Sequence, residues 1–289
     1  MKSREAKLLA EAAHAAAVKE VLTTPKPGLV DAEGTGCHRD MDCALFIRSA
    51  QAIAPFWEAQ ALTGLAGTPP AKAMRELRAA GAAMERAMFA ATGGINTHKG
   101  LIYLMSLLLY GAGHLLSLGE PPSAKGAAEA ASRAVAGAVA RELKPLFANG
   151  GERALSNGER LFVEHGVTGI RGEAEAAFPS VVKSGLPALQ SALASGASEN
   201  DAGLAALLAV MAVCEDSNVI HRAGYDYWKN VYPRLVREAA ADFDPRRADY
   251  RSLYALEAKF LPLRVSPGGA ADLLSCTYFL KIFTNDIIY

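Results

Sequence analysis

Apolar residues recur at helical spacing along almost the whole chain, and this feature restricts the possible folds most. Alanine and leucine dominate these segments, whereas alternating runs of β-branched residues bounded by turns are nearly absent. Apolar residues make up 51% of the 289 positions, which is enough to bury a sizeable core. Because no internal repeat or linker interrupts the pattern, we predict an all-α, multi-helix bundle that forms one domain over residues 1–289.

The helical spacing also predicts individual elements. Asp40 or Asp42 is expected to cap the second helix, which Pro55 interrupts or kinks. Residues 201–214, with Asp201 as the expected N-cap, are apolar on all sides and should therefore be central. The other predicted helices cover 4–22, 71–91, 98–117, 124–143, 152–165, 180–196, 222–240, 247–260 and a last segment from Pro267 through Leu280.

Composition excludes several classes of protein. The 30 basic residues balance 30 acidic ones, which argues against a nucleic-acid partner. The run Leu101–Leu118 approaches the length of a membrane span, but it contains Ser106 and His114 and lacks basic and aromatic flanks, so a core helix is predicted. The N-terminus has no signal-peptide core, and the four cysteines form no CxxC pair. We therefore expect a cytoplasmic protein with no membrane partner; the apolar content permits a homodimer without requiring one.

A glycine-rich turn precedes the most apolar helix. Gly93 and Gly94 allow a tight turn, and the polar residues that follow are Asn96, Thr97, His98 and Lys99. A helix that starts here would point free N–H groups and its positive dipole end at one place, which is the outline of an anion site. The spacing does not match the P-loop pattern GxxxxGK[ST]. A phosphate site is therefore one interpretation, and a plain turn with an asparagine N-cap is the other.

Further polar residues gather beside glycine and proline. Pro25 and Pro27 hold Lys26 in a stiff, extended segment, which suits either a fixed cation or a rigid connector. His38 and Asp40 lie near a predicted helix start, where they provide a base or a metal ligand, or where the aspartate caps the helix. Near the C-terminus, Ser266, Gly268, Gly269 and Asp272 surround a predicted helix start and form a second candidate phosphate site.

Three carboxylates suggest a metal ion. Glu85 flanks the apolar seam of its helix, so it needs a partner, which is a metal ion or a basic side chain. Glu215 and Asp216 follow the most apolar helix directly, and the dipole disfavours carboxylates at a helix C-terminus. A bound Mg²⁺, which takes oxygen ligands, would compensate for this.

Six motifs occur in an order that resembles one enzyme family. The motifs are PKPGLVD at 25–31, GCHRDMD at 36–42, ATGGINTHKG at 91–100, GIRGEAEAAFP at 169–179, EDSNVIHRAG at 215–224 and SPGGAADLL at 266–274. The order resembles that of the triphosphoribosyl-dephospho-CoA synthases, and the likeness runs from about residue 20 to residue 281. The resemblance implies an all-helical pentosyltransferase that uses ATP and 3′-dephospho-CoA, releases adenine and keeps the triphosphate intact. The product would pass to a holo-acyl-carrier-protein synthase, as the prosthetic-group precursor for citrate lyase or malonate decarboxylase.

This chemistry assigns roles to the gathered residues. An N-glycosidic bond breaks through an oxocarbenium-like state, the leaving adenine needs an acid and the acceptor hydroxyl needs a base. Candidates for acid and base are Asp31, His38, Asp40 and His98. Candidates for binding substrate or phosphate are Lys26, Gly93, Gly94, Asn96, Thr97, Lys99, Arg171, Glu173, Asn218, Arg222, Ser266, Gly268, Gly269 and Asp272. The expected ligands of Mg²⁺, the predicted cofactor, are Glu85, Glu215 and Asp216.

We expect these side chains to converge on one pocket lined by helix ends. A helical Mg²⁺-dependent hydrolase of N-ribosyl bonds is an alternative that would use the same residue types, with water as acceptor. A helical nucleotide-binding protein without catalytic activity is a third interpretation.

Overall fold

The computed structural model describes residues 2–147 and 155–285, and within these ranges every regular element is a helix. The α-helices in chain order are α1 (Lys2–Leu22), α2 (Cys43–Ile53), α3 (Trp57–Leu65), α4 (Pro70–Thr92), α5 (Lys99–Ser117), α6 (Ala124–Ala134), α7 (Ala138–Glu142), α8 (Asn157–His165), α9 (Gly169–Glu175), α10 (Leu186–Ala194), α11 (Glu199–Met211), α12 (Ser217–Ala223), α13 (Tyr225–Asn230), α14 (Tyr232–Asp242), α15 (Arg251–Phe260) and α16 (Gly268–Asn285). A π-helical turn, Val181–Gly185, leads into α10. The predicted all-α fold is confirmed.

Helix α5 lies at the centre of the core. Helices α1, α3, α4, α6 and α16 pack around it. It is the one helix in the described ranges that is long and apolar enough to cross a membrane, yet 78% of its apolar window is buried inside the protein. A Cβ atom at Gly111 would lie 2.1 Å from the carbonyl oxygen of Ala127, so α5 and α6 approach too closely for any side chain there. The prediction of a core helix is confirmed.

Several local predictions are also confirmed, and one cap is corrected. Asp42 is the N-cap of α2 and accepts a hydrogen bond from the Leu45 N–H at 2.7 Å. A 3₁₀ turn at Ala54–Phe56 interrupts the helical path at the predicted proline. Asp201 is not the N-cap of α11, because the helix begins at Glu199 and its N-cap is Ser198. The N–H of Asp201 donates a hydrogen bond to the Ser198 hydroxyl.

Glycines break two of the predicted helices. The predicted helix 124–143 is wrong in its second half, because Gly137 adopts φ 71° between α6 and α7. The predicted helix 222–240 divides into α12, α13 and α14, with Gly224 at φ 92°. Residues 169–175 form the short α9, which was not predicted because two glycines lie within it. The prediction for 152–165 lies partly outside the described residues, which show Asn157–His165 as helix.

Candidate active site

The first turn of α16 contacts the start of α5 through Asp272. The Asp272 carboxyl accepts a hydrogen bond from the Leu101 N–H. A Cβ atom at Gly100 would lie 2.0 Å from Asp272 Oδ2, so only glycine leaves room for this carboxyl. Burial, together with the charges of Glu20 and Asp216, raises the pKa of Asp272 above its usual range. Asp272 therefore supplies a buried hydrogen-bond acceptor at the N-terminus of α5.

Asp216 joins the starts of α12 and α16. Its Oδ1 accepts hydrogen bonds from the N–H groups of Asn218 at 2.9 Å and Val219 at 3.3 Å. Its Oδ2 accepts from the Ala270 N–H at 2.9 Å. Burial raises the pKa of this carboxyl to about 6, while the backbone N–H groups oppose the shift. The side chain is completely buried and ties two helices together.

Glu215 performs the same role for α9. Its Oε2 accepts hydrogen bonds from the Thr168 N–H and hydroxyl, both at 2.9 Å, and from the Gly169 N–H at 3.1 Å. The expectation that Glu215 and Asp216 face an unfavourable dipole is therefore wrong. Helix α11 ends at Met211, and both carboxylates bind the N-termini of other helices, where the dipole favours them.

The two predicted phosphate sites at glycine-rich helix starts are also corrected, because the glycine N–H groups there already form hydrogen bonds within the protein. The N–H groups of Gly93 and Gly94 both donate to the Phe89 carbonyl, because positive φ angles of 65° and 89° let them close the end of α4. The Gly268 N–H donates to the Ser266 carbonyl, and the Gly269 N–H binds Asp216. The first N–H of α5 is taken as well, because the Lys99 N–H donates to Asn96 Oδ1 at 3.2 Å, which favours the plain turn. The expected asparagine N-cap is wrong in position, because His98 is the N-cap and its side chain forms no capping bond.

A cavity of about 400 Å³ opens beside α9. The carboxylates of Glu173 and Glu215 line it with Lys183. Glu173 accepts hydrogen bonds from the Ser180 N–H at 2.8 Å and hydroxyl at 2.9 Å. Burial and, more weakly, the charge of Glu215 raise the pKa of Glu173, and the bonds from Ser180 oppose this shift. The cavity thus combines two carboxylates, one cation and several hydroxyl groups.

A second cavity lies between α4 and α5. Glu85 lines it, and its carboxylate binds Lys99 Nζ at 3.1 Å, so its partner is a lysine. Tyr103 lines the same cavity, and burial raises the pKa of its hydroxyl to about 12. The charge of Arg171 also acts on Tyr103, and the Arg171 guanidinium lies 3.8 Å from Glu142. Lys99 and Arg171 therefore both lie near this cavity.

His38 contacts Ser266, which lies two residues before the start of α16. Its Nε2 lies 2.7 Å from the Ser266 hydroxyl, and its Nδ1 lies 3.9 Å from Asp40. Burial and the charge of Arg222 lower the pKa of His38, whereas Asp40 raises it. Asn218 lies beside the first residue of α16, since a Cβ atom at Gly268 would lie 2.7 Å from Asn218 Nδ2.

Lys26 and Asp31 are buried and engaged within the protein. Lys26 forms an ion pair with Glu20 and donates to the Glu20 carbonyl at 2.6 Å. Asp31 accepts hydrogen bonds from the Lys26 N–H at 2.7 Å and from the N–H groups of Glu33 and Gly34. Of the two interpretations of Lys26, the rigid connector is therefore favoured over the cation that binds a substrate, because the lysine side chain stabilises the segment after α1.

His98 is a buried, neutral imidazole. The Thr97 hydroxyl donates to Ser49 Oγ at 2.6 Å, and Ser49 lies 2.7 Å from His98 Nδ1. His98 Nδ1 therefore ends a chain of buried hydrogen bonds that begins at Thr97, and among the described residues Nε2 has no hydrogen-bond partner. Burial and the charge of Lys26 lower the pKa of His98 to about 3.

Comparison with known proteins identifies the family. A profile of the family CitG, ATP:dephospho-CoA triphosphoribosyl transferase, matches residues 6–287. The chain belongs to this family. It is therefore a transferase, and the match includes all six motifs and every carboxylate described above.

Individual relatives agree with this transferase assignment. A 2-(5''-triphosphoribosyl)-3'-dephosphocoenzyme-A synthase of Pectobacterium atrosepticum is 39% identical over 269 residues, which cover 92% of this chain and 86% of that protein. The synthase of the same name from Klebsiella pneumoniae is 36% identical over 294 residues, covering 100% and 95%. A solved structure from Archaeoglobus fulgidus, described as a triphosphoribosyl-dephospho-CoA synthase, superposes with a TM-score of 0.50 at 18% identity over 82% of this chain and 98% of that one. That structure supports the shared fold.

In this transferase the predicted single pocket is divided. Glu85 lines the cavity between α4 and α5, whereas Glu173 and Glu215 line the cavity beside α9. Asp216 lines neither, because it is buried among backbone N–H groups. Within the described ranges, no three acidic, histidine or cysteine side chains are grouped to hold a metal ion. The trio Glu85, Glu215 and Asp216 therefore does not form one ligand set.

Sequence reasoning missed several residues of these sites in the transferase. Lys183 lines the larger cavity from the π-helical turn, and Tyr103 and Ser106 line the smaller one. In the sequence, the indication for each of these three residues was a polar side chain within an otherwise apolar segment. Ser49 was also missed, because its partner His98 lies 49 residues further along the chain. Glu20 was missed although its partner Lys26 is only six residues away.

Proposed function

We propose that this protein transfers the 5-triphosphoribosyl group of ATP to 3′-dephospho-CoA and releases adenine. The observation that carries the proposal is the family match over residues 6–287, which includes the joined N-termini of α5, α9, α12 and α16. In the reaction, the bond between the ribose anomeric carbon and adenine breaks, and a bond to an acceptor ribose hydroxyl oxygen forms. The acceptor proton goes to a base, and adenine receives a proton as it leaves.

Lys99 and Arg171 are the residues that we assign to the triphosphate. Their side chains are 55% and 35% exposed, so each can exchange its present carboxylate partner for a phosphate oxygen. The charge of Arg222 acts on His38, and Asn218 lies beside Gly268 at the start of α16, so we assign both residues to the acceptor. Lys26 takes no part in binding here, because its ammonium group is buried against Glu20.

Mg²⁺ is the cofactor that we propose. The carboxylates of Glu173 and Glu215 line one open cavity with hydroxyl groups of Thr168 and Ser180, and such oxygen donors suit this ion. One or two carboxylates are enough, because Mg²⁺ takes its remaining ligands from water and from substrate phosphates. When bound, the ion would neutralise part of the charge of the triphosphate. Glu85 and Asp216 are outside this proposed set.

His38 is the residue that we propose as the general base. It is held neutral by burial and by Arg222, and a neutral imidazole can accept the proton of the acceptor hydroxyl. Asp40 lies beside Nδ1 and stabilises the imidazolium that forms. Asp31 and His98 are positioning residues in this scheme, because Asp31 holds three backbone N–H groups and His98 stays neutral well below pH 7.

The pH profile tests the role of His38. Activity requires the neutral ring, so kcat/KM should fall as the pH drops through the lowered pKa of His38, below its usual 6.5. Arg222→Met removes a positive charge, raises this pKa and should move the acidic limb up by roughly 0.3–0.5 units. Asp40→Asn should move the limb in the opposite direction by a similar amount. Limbs that stay fixed in both variants would exclude His38 as the titrating base.

The place of the reaction in the cell follows from its substrates. ATP and dephospho-CoA are cytoplasmic metabolites, and we propose that the enzyme acts there and passes its product to a holo-acyl-carrier-protein synthase. Whether citrate lyase or malonate decarboxylase receives the group, and whether the enzyme forms a homodimer, stay predictions from sequence.

Adenine release separates the three candidate functions. The purified protein is incubated with Mg²⁺ and ATP, with and without 3′-dephospho-CoA, and adenine and products are quantified by chromatography and mass spectrometry. The transferase requires both substrates and joins the triphosphoribosyl group to dephospho-CoA in amounts equal to the adenine released. Equal adenine release from ATP alone would instead establish the hydrolase. Tight ATP binding with no adenine under either condition would establish a binding protein.

A further inference from the structure

The cavity between α4 and α5 has the size and walls of an aromatic-ring site. It encloses about 140 Å³. Met74 and Leu77 line it from α4, and Ile102 and Leu107 line it from α5. This volume is several times the ~30 Å³ share of one water molecule, and an engineered cavity of about 150 Å³ with similar apolar walls binds benzene. The space therefore suits one planar ring system between aliphatic side chains.

One polar group in the wall has no partner. Ser106 is 4% exposed, and among the described residues its hydroxyl oxygen has no hydrogen-bond partner. A serine inside a helix normally bonds to a carbonyl of the preceding turn or faces solvent, and a buried hydroxyl that does neither is destabilising. A ligand atom in the cavity would satisfy this hydroxyl group.

Charged and polar groups lie at the edge of the same cavity. Glu85 lines it and binds Lys99 through one contact at 3.1 Å, and a carboxylate can accept about four hydrogen bonds. Arg78 and Tyr103 line it as well. Lys99 and Arg171, which we assign to phosphate, are next to this edge. A ligand with an apolar ring and an attached phosphate chain fits this arrangement.

We propose that this cavity is the subsite for the adenine base of a substrate nucleotide. In this subsite the aliphatic side chains cover the faces of the purine, the Ser106 hydroxyl donates to a ring nitrogen and Glu85 accepts from the exocyclic amine. The inference rests on the proposed function, in which both substrates carry adenine. Glu85 then contacts the base instead of the metal ion.

Two substitutions test the subsite through different effects. A Cβ atom at Gly81 would meet only Ile102 Cγ2, at 3.8 Å, so Gly81→Leu can place its side chain in the cavity without moving the backbone. Ser106→Ala removes the hydroxyl alone. Because that hydroxyl is unpartnered, the melting temperature of Ser106→Ala should stay unchanged or rise. Ala79→Leu, on the exposed surface of α4 away from the cavity lining, is the matched control.

Isothermal titration calorimetry of four compounds with each variant tests whether the cavity binds adenine. The probes are ATP, 3′-dephospho-CoA, pantetheine, which is the acceptor arm without a base, and tripolyphosphate, which is the donor phosphate chain without a base. We expect Ser106→Ala to weaken at least one adenine-bearing probe by roughly tenfold, and Gly81→Leu to weaken it by about a hundredfold. Binding of pantetheine and tripolyphosphate should match wild type, and Ala79→Leu should match it throughout. The identity of the weakened nucleotide shows whether donor or acceptor adenine occupies the cavity.

Other outcomes overturn the subsite. Unchanged binding of both nucleotides to folded variants would exclude it, and equal weakening of pantetheine would place the acceptor arm there instead. If Gly81→Leu fails to fold, Ser106→Ala alone decides. Adenine release by the wild-type protein is measured separately, so failure of the transferase proposal and failure of the subsite remain distinguishable.

Discussion

Replacing Lys26 with methionine should destabilise the substrate-free protein by about 3–5 kcal/mol, because Glu20 would then be a buried charge without its partner. The side chains of Lys26 and Glu20 are only 1% and 6% exposed. Burial raises the pKa of Glu20, and the charge of Lys26 and the hydrogen bond from it oppose the shift. The double variant Glu20→Leu/Lys26→Met should recover to within about 1 kcal/mol of wild type, since replacing a whole buried pair by apolar residues is often neutral.

Urea unfolding without nucleotide measures this effect. Lys72→Met is the control, because the Lys72–Glu76 pair is exposed at 64% and 43% and should contribute less than about 1 kcal/mol. A Lys26→Met protein that unfolds like wild type but binds ATP much more weakly would restore Lys26 as a phosphate ligand. That result would contradict the structural role assigned to the pair.

Asp216→Ala should lower the free energy of unfolding by about 3–5 kcal/mol, because it leaves buried N–H groups of two helices without acceptors. These groups belong to Asn218 and Val219 at the start of α12 and to Ala270 at the start of α16. Asp216→Asn keeps one acceptor oxygen, so a smaller loss is expected.

The cap of α2 gives the comparison for Asp216. Asp42→Ala removes an exposed cap and should cost about 1 kcal/mol. If Asp216 were instead a metal ligand that awaits its ion, Asp216→Ala would stabilise the metal-free protein. Chemical denaturation in the presence of a chelator, with all three variants in parallel, distinguishes the two roles.

Most of the fold could be predicted because helical periodicity is a local property. The spacing of apolar residues determines α1, α4, α5 and α16, and each lies within two residues of its predicted start. The errors lie at positions where a single glycine ends a helix. At Gly137 and Gly224, positive φ angles divide segments that were predicted as continuous helices. Around Gly137, alanine-rich sequence on both sides hides the break, since propensity alone favours one continuous helix.

The site was harder to predict, because its hydrogen bonds connect distant parts of the chain. The polar residues beside glycine do collect at helix N-termini, yet carboxylates of this chain already occupy those termini. Asp272 was expected to bind substrate but binds the start of α5, and Asp216 was expected to bind a metal ion but caps α12 and α16. A sequence shows that a helix start offers free N–H groups, but not that a carboxyl group from a distant part of the same chain accepts from them, as Asp216 does for Ala270 across 54 residues.

The position of the triphosphate tests the central claim most directly. The claim is that phosphates bind where α5 and α9 meet, through Lys99 and Arg171. In a crystal structure of the protein with Mg²⁺ and ATP, both side chains should leave Glu85 and Glu142 and contact phosphate oxygens at roughly 2.7–3.2 Å. A triphosphate bound elsewhere, with the Lys99–Glu85 and Arg171–Glu142 pairs intact, would contradict it.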